Sequence, residues 1–115
     1  CTVVARDVKP VAAALQRLFG SAAITRTDRV VAAHTGHGVI VAAMPEDAQL
    51  MHPLLDLPGD AALPLPVILT LEVADPERAA AFLKLQGVAF ARSPNGDVIV
   101  PAAEAHGVVL ELVRD

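Results

Sequence analysis

The sequence predicts an α+β fold of two tandem βαβββ modules, which form a curved eight-stranded mixed sheet around one cleft. Three observations support this prediction. A helical segment set among strand-like segments occurs twice, the copies are offset by 67 to 69 positions, and a proline-rich connector separates them. One such module would leave a face of its sheet bare, and a second module can bury that face.

The first module is predicted over residues 1–44. Thr2–Ala5 is short, apolar and β-branched, as a strand is. Asp7 is placed as the N-cap of a helix whose apolar positions in Val11–Phe19 follow the i, i+3, i+4, i+7 spacing, and Gly20 ends it. The remaining strand candidates are Ala22–Arg26, Val30–Ala33 and Val39–Met44.

A connector is predicted over residues 45–65, where four prolines accumulate and a fifth follows at Pro66, with one or two helical turns around Ala48–Leu55. The second module, over residues 66–115, repeats the order of the first. Asp75 is the N-cap and Pro76 the first helical residue. Its other predicted elements are the strand Val67–Val73, the helix Ala79–Leu85, and the strands Val88–Ala91, Val98–Val100 and Val108–Val113.

Composition narrows the class of function. Hydrophobic residues make up 54% of the 115 residues, which is enough for a packed core, and charged residues make up 19%. The net charge of −4 and the absence of Trp and Tyr argue against nucleic-acid binding. No apolar run reaches membrane-spanning length, no signal peptide is visible, and the single Cys1 suggests no disulfide. We therefore expect a cytoplasmic protein with no membrane or nucleic-acid partner.

The chain resembles the vicinal oxygen chelate superfamily, which includes glyoxalases, bleomycin-resistance proteins and extradiol dioxygenases. The resemblance rests on three segments: Val73–Pro76 before the second helix, Leu85–Val88 after it, and the closing Pro101–Val113. The closing segment is similar to the end of methylmalonyl-CoA epimerases and their glyoxalase-like relatives. The resemblance implies paired βαβββ modules, and it permits a cleft closed within one chain or across a homodimer, which we expect because exposed module edges invite association.

The resemblance also implies where a divalent metal would be held, by one residue from the first and one from the last strand of each module. The last-strand ligand of the second module matches Glu111. Aligning the His-Gly pairs, His37-Gly38 with His106-Gly107, places its counterpart in the first module at Ala42, which cannot coordinate a metal. The first-strand ligand falls at the apolar Ile68 in the second module and before Cys1 in the first. We therefore expect no tightly bound metal or other cofactor, unless ligands come from upstream of Cys1 or from a partner chain.

Glu111 is the candidate catalytic base, since a carboxylate in an apolar strand can accept a proton from a bound substrate. The alternative is a strand-edge carboxylate that reaches solvent or pairs with Arg114 or another arginine. Arg26, Arg29 and Arg92 lie on or beside predicted strands and could bind a substrate carboxylate in bidentate fashion, although solvated arginines are commoner there. Thr70 is the remaining substrate-binding candidate, and either Thr70 or Glu72 is expected to face the cleft.

The four histidines favour structural roles. His37 and His106 precede glycines at the same repeat position, which suggests hydrogen bonds that fix a turn. His34 and His37 are three residues apart, but an extended strand and the turn at Gly36 argue against a metal pair. His52 is predicted to be a surface residue of the connector.

Three functions follow as alternatives. The first is a glyoxalase-like enzyme that shifts a proton on a small oxygenated metabolite, with Glu111 as its base and an incomplete metal site. The second is a metal-free protein that binds and sequesters a small molecule, as bleomycin-resistance proteins do. The third is a degenerate module that serves mainly dimer assembly.

Overall fold

The computed structural model describes residues 1–27, 29–55 and 63–115, and it divides into two compact units, Cys1–Pro66 and Val67–Asp115. Within those ranges the chain has eight strands in mixed parallel and antiparallel pairing and three α-helices, which confirms the predicted α+β class. Each unit has the predicted βαβββ order. Part of the proposed connector, residues 56–62, lies outside the described residues. No helix in the described part of the chain is long and apolar enough to cross a membrane.

The first unit consists of β1 (Thr2–Val4), α1 (Val8–Phe19), β2 (Ile24–Arg26), β3 (Val30–His34), β4 (Val39–Ala43) and α2 (Pro45–Met51). Its four strands form a sheet in the order β2-β3-β4-β1. β1 is parallel to β4, while β2–β3 and β3–β4 are antiparallel. The connector helix α2 thus begins at the first connector proline, earlier than the turns expected around Ala48–Leu55.

Helix α1 covers one face of this sheet. It starts directly after Asp7, whose side chain accepts a hydrogen bond from the Lys9 backbone N–H, which confirms Asp7 as the predicted N-cap. Ala12 of α1 is fully buried against Val31 of β3 and Ala42 of β4. Two alanines in this contact leave little space between helix and sheet.

Helix α2 and the residues after it are tied to the same unit by polar contacts. Asp47, which is largely buried, accepts a hydrogen bond of 3.1 Å from Arg29 Nε in the β2–β3 turn. Ala48 is fully buried, and α2 contacts β1. The connector residues from Pro45 to Leu55, the last of which is also buried, are therefore part of the first unit.

The elements of the second unit are β5 (Leu65–Val73, whose first two residues belong to the first unit), α3 (Pro76–Leu85), β6 (Ala91–Arg92), β7 (Val98–Val100) and β8 (Val109–Arg114). The strands form a sheet in the order β5-β8-β7-β6. β5 is parallel to β8, and the other pairs are antiparallel. Helix α3 is capped by Asp75, which accepts hydrogen bonds from the backbone N–H groups of Glu77 and Arg78.

The predicted strand Val88–Ala91 is wrong, because the strand here is only Ala91–Arg92. Gly87 takes a positive φ of 73° after α3, and the Val88 N–H then bonds back to the Leu83 carbonyl at 3.0 Å. This is the closing hydrogen bond of a Schellman-type helix end. It uses the Val88 N–H that a strand would need for its ladder.

Candidate functional site

The two faces of the second sheet can be assigned from its register. Thr70 is paired with Glu111 across the parallel β5–β8 ladder, and Glu111 is paired with Ile99 across β7–β8. Paired residues share a face, and faces alternate along each strand. Val98 and Val100, which stand on either side of Ile99, face the opposite way, and Arg92, which is paired with Val98, bonds to Glu77 of α3. Glu111 therefore lies on the face away from α3.

Glu111 is half-buried on this face and is held by a neighbouring strand. The Thr70 hydroxyl donates a hydrogen bond to Glu111 Oε1 over 3.3 Å. Ile68, which is 1% exposed, lies on the same face. One oxygen of this carboxylate is therefore fixed by a hydroxyl, and an apolar side chain lies on the same face. Such a carboxylate is suited to accept a proton from a bound molecule.

Thr70 and Glu72 share a face, so the expectation that only one of them faces the same side as Glu111 is wrong. They are two residues apart on β5, and side chains at that spacing point the same way. Glu72 is paired with Val113 and is exposed. The face thus carries a second, solvated carboxylate beside the Thr70–Glu111 pair.

Arg92, predicted to bind substrate, lies on the other face of the second sheet. It is paired with Val98, on the α3 side, and its guanidinium bonds to both carboxylate oxygens of Glu77 and to the Gly96 carbonyl at 2.7 Å. The hydrogen bond from Arg92 lowers the pKa of the exposed Glu77 carboxyl, and the same bond raises the pKa of Arg92. The structure therefore does not bring Arg92 together with Glu111. The contacts of Arg92 join the start of α3 to the β6–β7 turn.

The arginines of the first unit also contact their own module. Arg26 is paired with Val31, on the α1 side of the sheet, and its Nη2 donates to Gln16 Oε1 of α1 over 3.4 Å. Arg29 bonds to Asp47. Both arginines thus contact side chains of helices in the first unit.

His52 is not a freely solvated surface residue. It is half-buried, and its Nε2 lies 3.2 Å from the hydroxyl of Thr2, which is 5% exposed. Thr2 is on the face of the first sheet away from α1, because its neighbour Val3 is paired with Ala42 of the α1 contact. Sequence reasoning missed this pair. The offset of 68 positions that relates both Thr2 to Thr70 and Asp7 to Asp75 is a signal for Thr2 alone and gives none for His52.

The first-module counterpart of Glu111 is Val41, which corrects the expectation of Ala42. Thr2 is paired with Val41 as Thr70 is paired with Glu111, whereas Ala42 is buried under α1. The turns explain the difference. β4 begins two residues after His37, and β8 begins three residues after His106.

The other histidines lie in exposed positions. His34 Nε2 lies 3.4 Å from the Thr25 hydroxyl. His37 is in the turn between β3 and β4, with its backbone N–H bonded to the Thr35 hydroxyl. His106 has a positive φ of 59° and precedes Gly107, whose N–H bonds to the Ala102 carbonyl at 2.8 Å. Both His-Gly pairs thus stand in the turns that lead into last strands.

The residues around Glu111 do not fit a divalent metal. Such ions need several oxygen or nitrogen donors from the protein. In the second unit, the other expected ligand position is occupied by the apolar Ile68. In the first unit, the position that corresponds to Glu111 is occupied by Val41. Across residues 1–27, 29–55 and 63–115, no three His, Cys, Asp or Glu side chains are grouped closely enough to hold an ion.

An apolar pocket of about 330 Å³ lies in the first unit. It is formed where α1 meets β1 and the two prolines that come just before the second unit. The lining residues are Val3, Pro10, Val11, Ala14, Pro64 and Pro66. Because these lining residues carry no charge, the pocket suits apolar parts of a ligand.

No protein-family model and no curated protein matches the sequence. Among solved structures, the chain is similar to methylmalonyl-CoA epimerase from Mycobacterium tuberculosis, with a TM-score of 0.58 and 16% identity over 98% of this chain and 83% of that one. A glyoxalase-related enzyme from Fulvimarina pelagi aligns with a TM-score of 0.43 and 14% identity, over 100% and 85% of the two chains. A glyoxalase/bleomycin resistance protein/dioxygenase from Nocardioides aligns with a TM-score of 0.39 and 14% identity, over 97% and 78%. Of these three structures, only the epimerase aligns with a TM-score above 0.5, so the comparison rests on it. Because its identity to this chain is low, the comparison shows a shared fold.

Proposed function

We propose that this protein binds a small oxygenated metabolite and moves a proton on that metabolite, with Glu111 as the base. The chain has the fold of the vicinal oxygen chelate superfamily. The observation that carries the proposal is the half-buried Glu111 carboxylate held by Thr70 on the sheet face away from α3. A methylmalonyl-CoA epimerase is among the solved structures with a similar fold, and a proton shift belongs to that class of reaction.

The residues described around Glu111 support a proposal for the substrate class. Removing a proton next to a carbonyl leaves negative charge on oxygen, and enzymes usually stabilise that charge with a metal or a cation. The residues at this face do not fit a metal, and Arg92 lies on the other face. We therefore propose that the reaction uses no resident metal, and that the substrate delocalises the charge itself, as a 1,3-dicarbonyl compound does.

The test is proton exchange in D₂O. A panel of dicarbonyl compounds and acyl thioesters is incubated with the protein, and NMR follows loss of the C–H signal. Glu111→Gln keeps the size of the side chain but removes the base, so we expect exchange to fall by about 10²-fold or more. Glu104→Gln, at an exposed loop carboxylate, is the matched control and should keep full activity.

Two results would contradict the proposal. Exchange that survives in a folded Glu111→Gln variant removes Glu111 as the base. Activity that tracks a stoichiometric, chelator-removable divalent ion shows that the metal-free part of the proposal is wrong. Homodimer formation and a cytoplasmic location stay predictions from the sequence.

The apolar pocket supports a second candidate, a protein that binds a small apolar molecule without reaction. Its lining by Val3, Val11 and Ala14 with three prolines favours this alternative. In the same panel, a hydrophobic compound that raises the melting temperature and is recovered unchanged would favour binding over catalysis.

A further inference from the structure

The first strand of each unit carries a threonine that contacts a titratable side chain. Thr70 of β5 donates to Glu111, and Thr2 of β1 contacts His52. The two threonines are 68 positions apart, as the helix caps Asp7 and Asp75 are. Each lies on the sheet face away from the long helix of its unit and is paired with the last strand. The same position therefore holds a threonine that contacts a titratable side chain in both modules, although the partners differ in chemistry.

The partners differ because the last strands differ. Glu111 stands opposite Thr70 on β8, while Val41 stands opposite Thr2 on β4 and offers no hydrogen-bonding side chain. In the first unit the partner comes instead from the residue after α2, His52. The threonine thus contacts a titratable side chain in both units, whichever residue provides that side chain. We therefore regard the threonine as part of the structural framework of the module.

We propose that Thr70 is a positioning residue for Glu111 and does not itself bind substrate. This inference rests on the proposed function, in which Glu111 is the base. A threonine hydroxyl has one proton to donate, and here it is given to Glu111 Oε1. Thr70 is β-branched and sits in a strand, so its χ1 is restricted and the hydroxyl holds a fixed direction. A base that is held in the reactive orientation can accept the proton for more of the time than a base that rotates freely.

Thr70→Val tests this assignment, since it keeps the branched shape and removes the donor. In the exchange assay we expect kcat to fall roughly tenfold, which corresponds to the loss of one hydrogen bond to a charged group, while KM stays within about twofold. Thr70→Ser keeps the hydroxyl and should restore most of kcat. Thr25→Val, at an exposed strand threonine of the first unit, is the control and should change neither constant. A raised KM with unchanged kcat would show instead that Thr70 contacts substrate.

A second measurement does not need activity. Carboxyl ¹³C NMR at one fixed pH detects each Glu side chain, and the Glu111 signal is identified by its loss in Glu111→Gln. We expect the Glu111 signal to move in Thr70→Val, to stay near the wild-type position in Thr70→Ser, and the signal of the exposed Glu104 to stay in place throughout. A Glu111 signal that is unchanged in Thr70→Val overturns the inference. Activity that survives Glu111→Gln contradicts the proposed function alone.

Discussion

A carboxylate introduced into β4 should destabilise the fold by very different amounts at two adjacent positions. Ala42 is fully buried and packs with Ala12 and Val31 beneath α1, whereas Val41 is half-buried on the other face beside Thr2. Alignment of the His-Gly pairs makes Ala42 the counterpart of Glu111, and the strand register makes it Val41. Ala42→Glu and Val41→Glu therefore decide between the two alignments.

The expected difference is large. An uncompensated buried charge costs about 3–5 kcal/mol, and forcing a longer side chain between Ala12 and the sheet adds about 1–3 kcal/mol. A domain of 115 residues has a total stability of about 6–17 kcal/mol, so Ala42→Glu should lose a large share of it. Val41→Glu gives up only part of one valine's burial, about 1–1.5 kcal/mol.

Urea denaturation followed by circular dichroism measures both variants. Ala42→Ser and Val41→Ala serve as controls for the loss of packing without a charge. We expect Ala42→Glu to have a midpoint far below that of Val41→Glu, or not to fold. Equal midpoints for the two glutamate variants would refute the register argument, and with it the equivalence of Thr2 with Thr70.

Two further predictions concern the second unit. The Arg92 hydrogen bond lowers the pKa of Glu77 below its ordinary value of 4.5, so this contact stabilises the fold above about pH 4.5 and its contribution is lost as the pH falls further. Glu77→Gln should therefore flatten the acid side of a stability profile measured from about pH 3 to 7, and a profile that keeps its slope would contradict this. Gly87 has a φ of 73°, and a methyl group added there would meet no atom within 4 Å, so Gly87→Ala should cost about 1 kcal/mol from backbone strain alone. Gly38→Ala, equally uncrowded but without a positive φ, is its control in the same denaturation assay, and equal losses in the two variants would show that strain at Gly87 is not the cause.

Much of the local structure could be predicted because its causes are local. Asp7 and Asp75 each stand directly before the helix that they cap, and the apolar periodicity of a segment indicates whether it is a helix or a strand. The predicted strand at Val88 failed for a reason that is also local but easily missed. The Gly87 turn uses the Val88 N–H to close α3.

The candidate site could be predicted only in part. The sequence predicts Glu111 as a base and Thr70 as a substrate contact without relating them, and the ladder between β5 and β8 makes them partners. Arg92 and Glu111 are both on strands of the second unit, yet they point to opposite faces. Their separation depends on strand register, which the pattern of residue types does not specify.

The sequence by itself determined the order of strands and helices, their caps, and the duplication of one module. Only the tertiary structure decided that Val41 stands where Glu111 does in the other module, and that His52 meets Thr2 from 50 positions along the chain. The physical reason is the two-residue period of a β-strand, because a single residue added to the turn before it reverses which side chains face the helix.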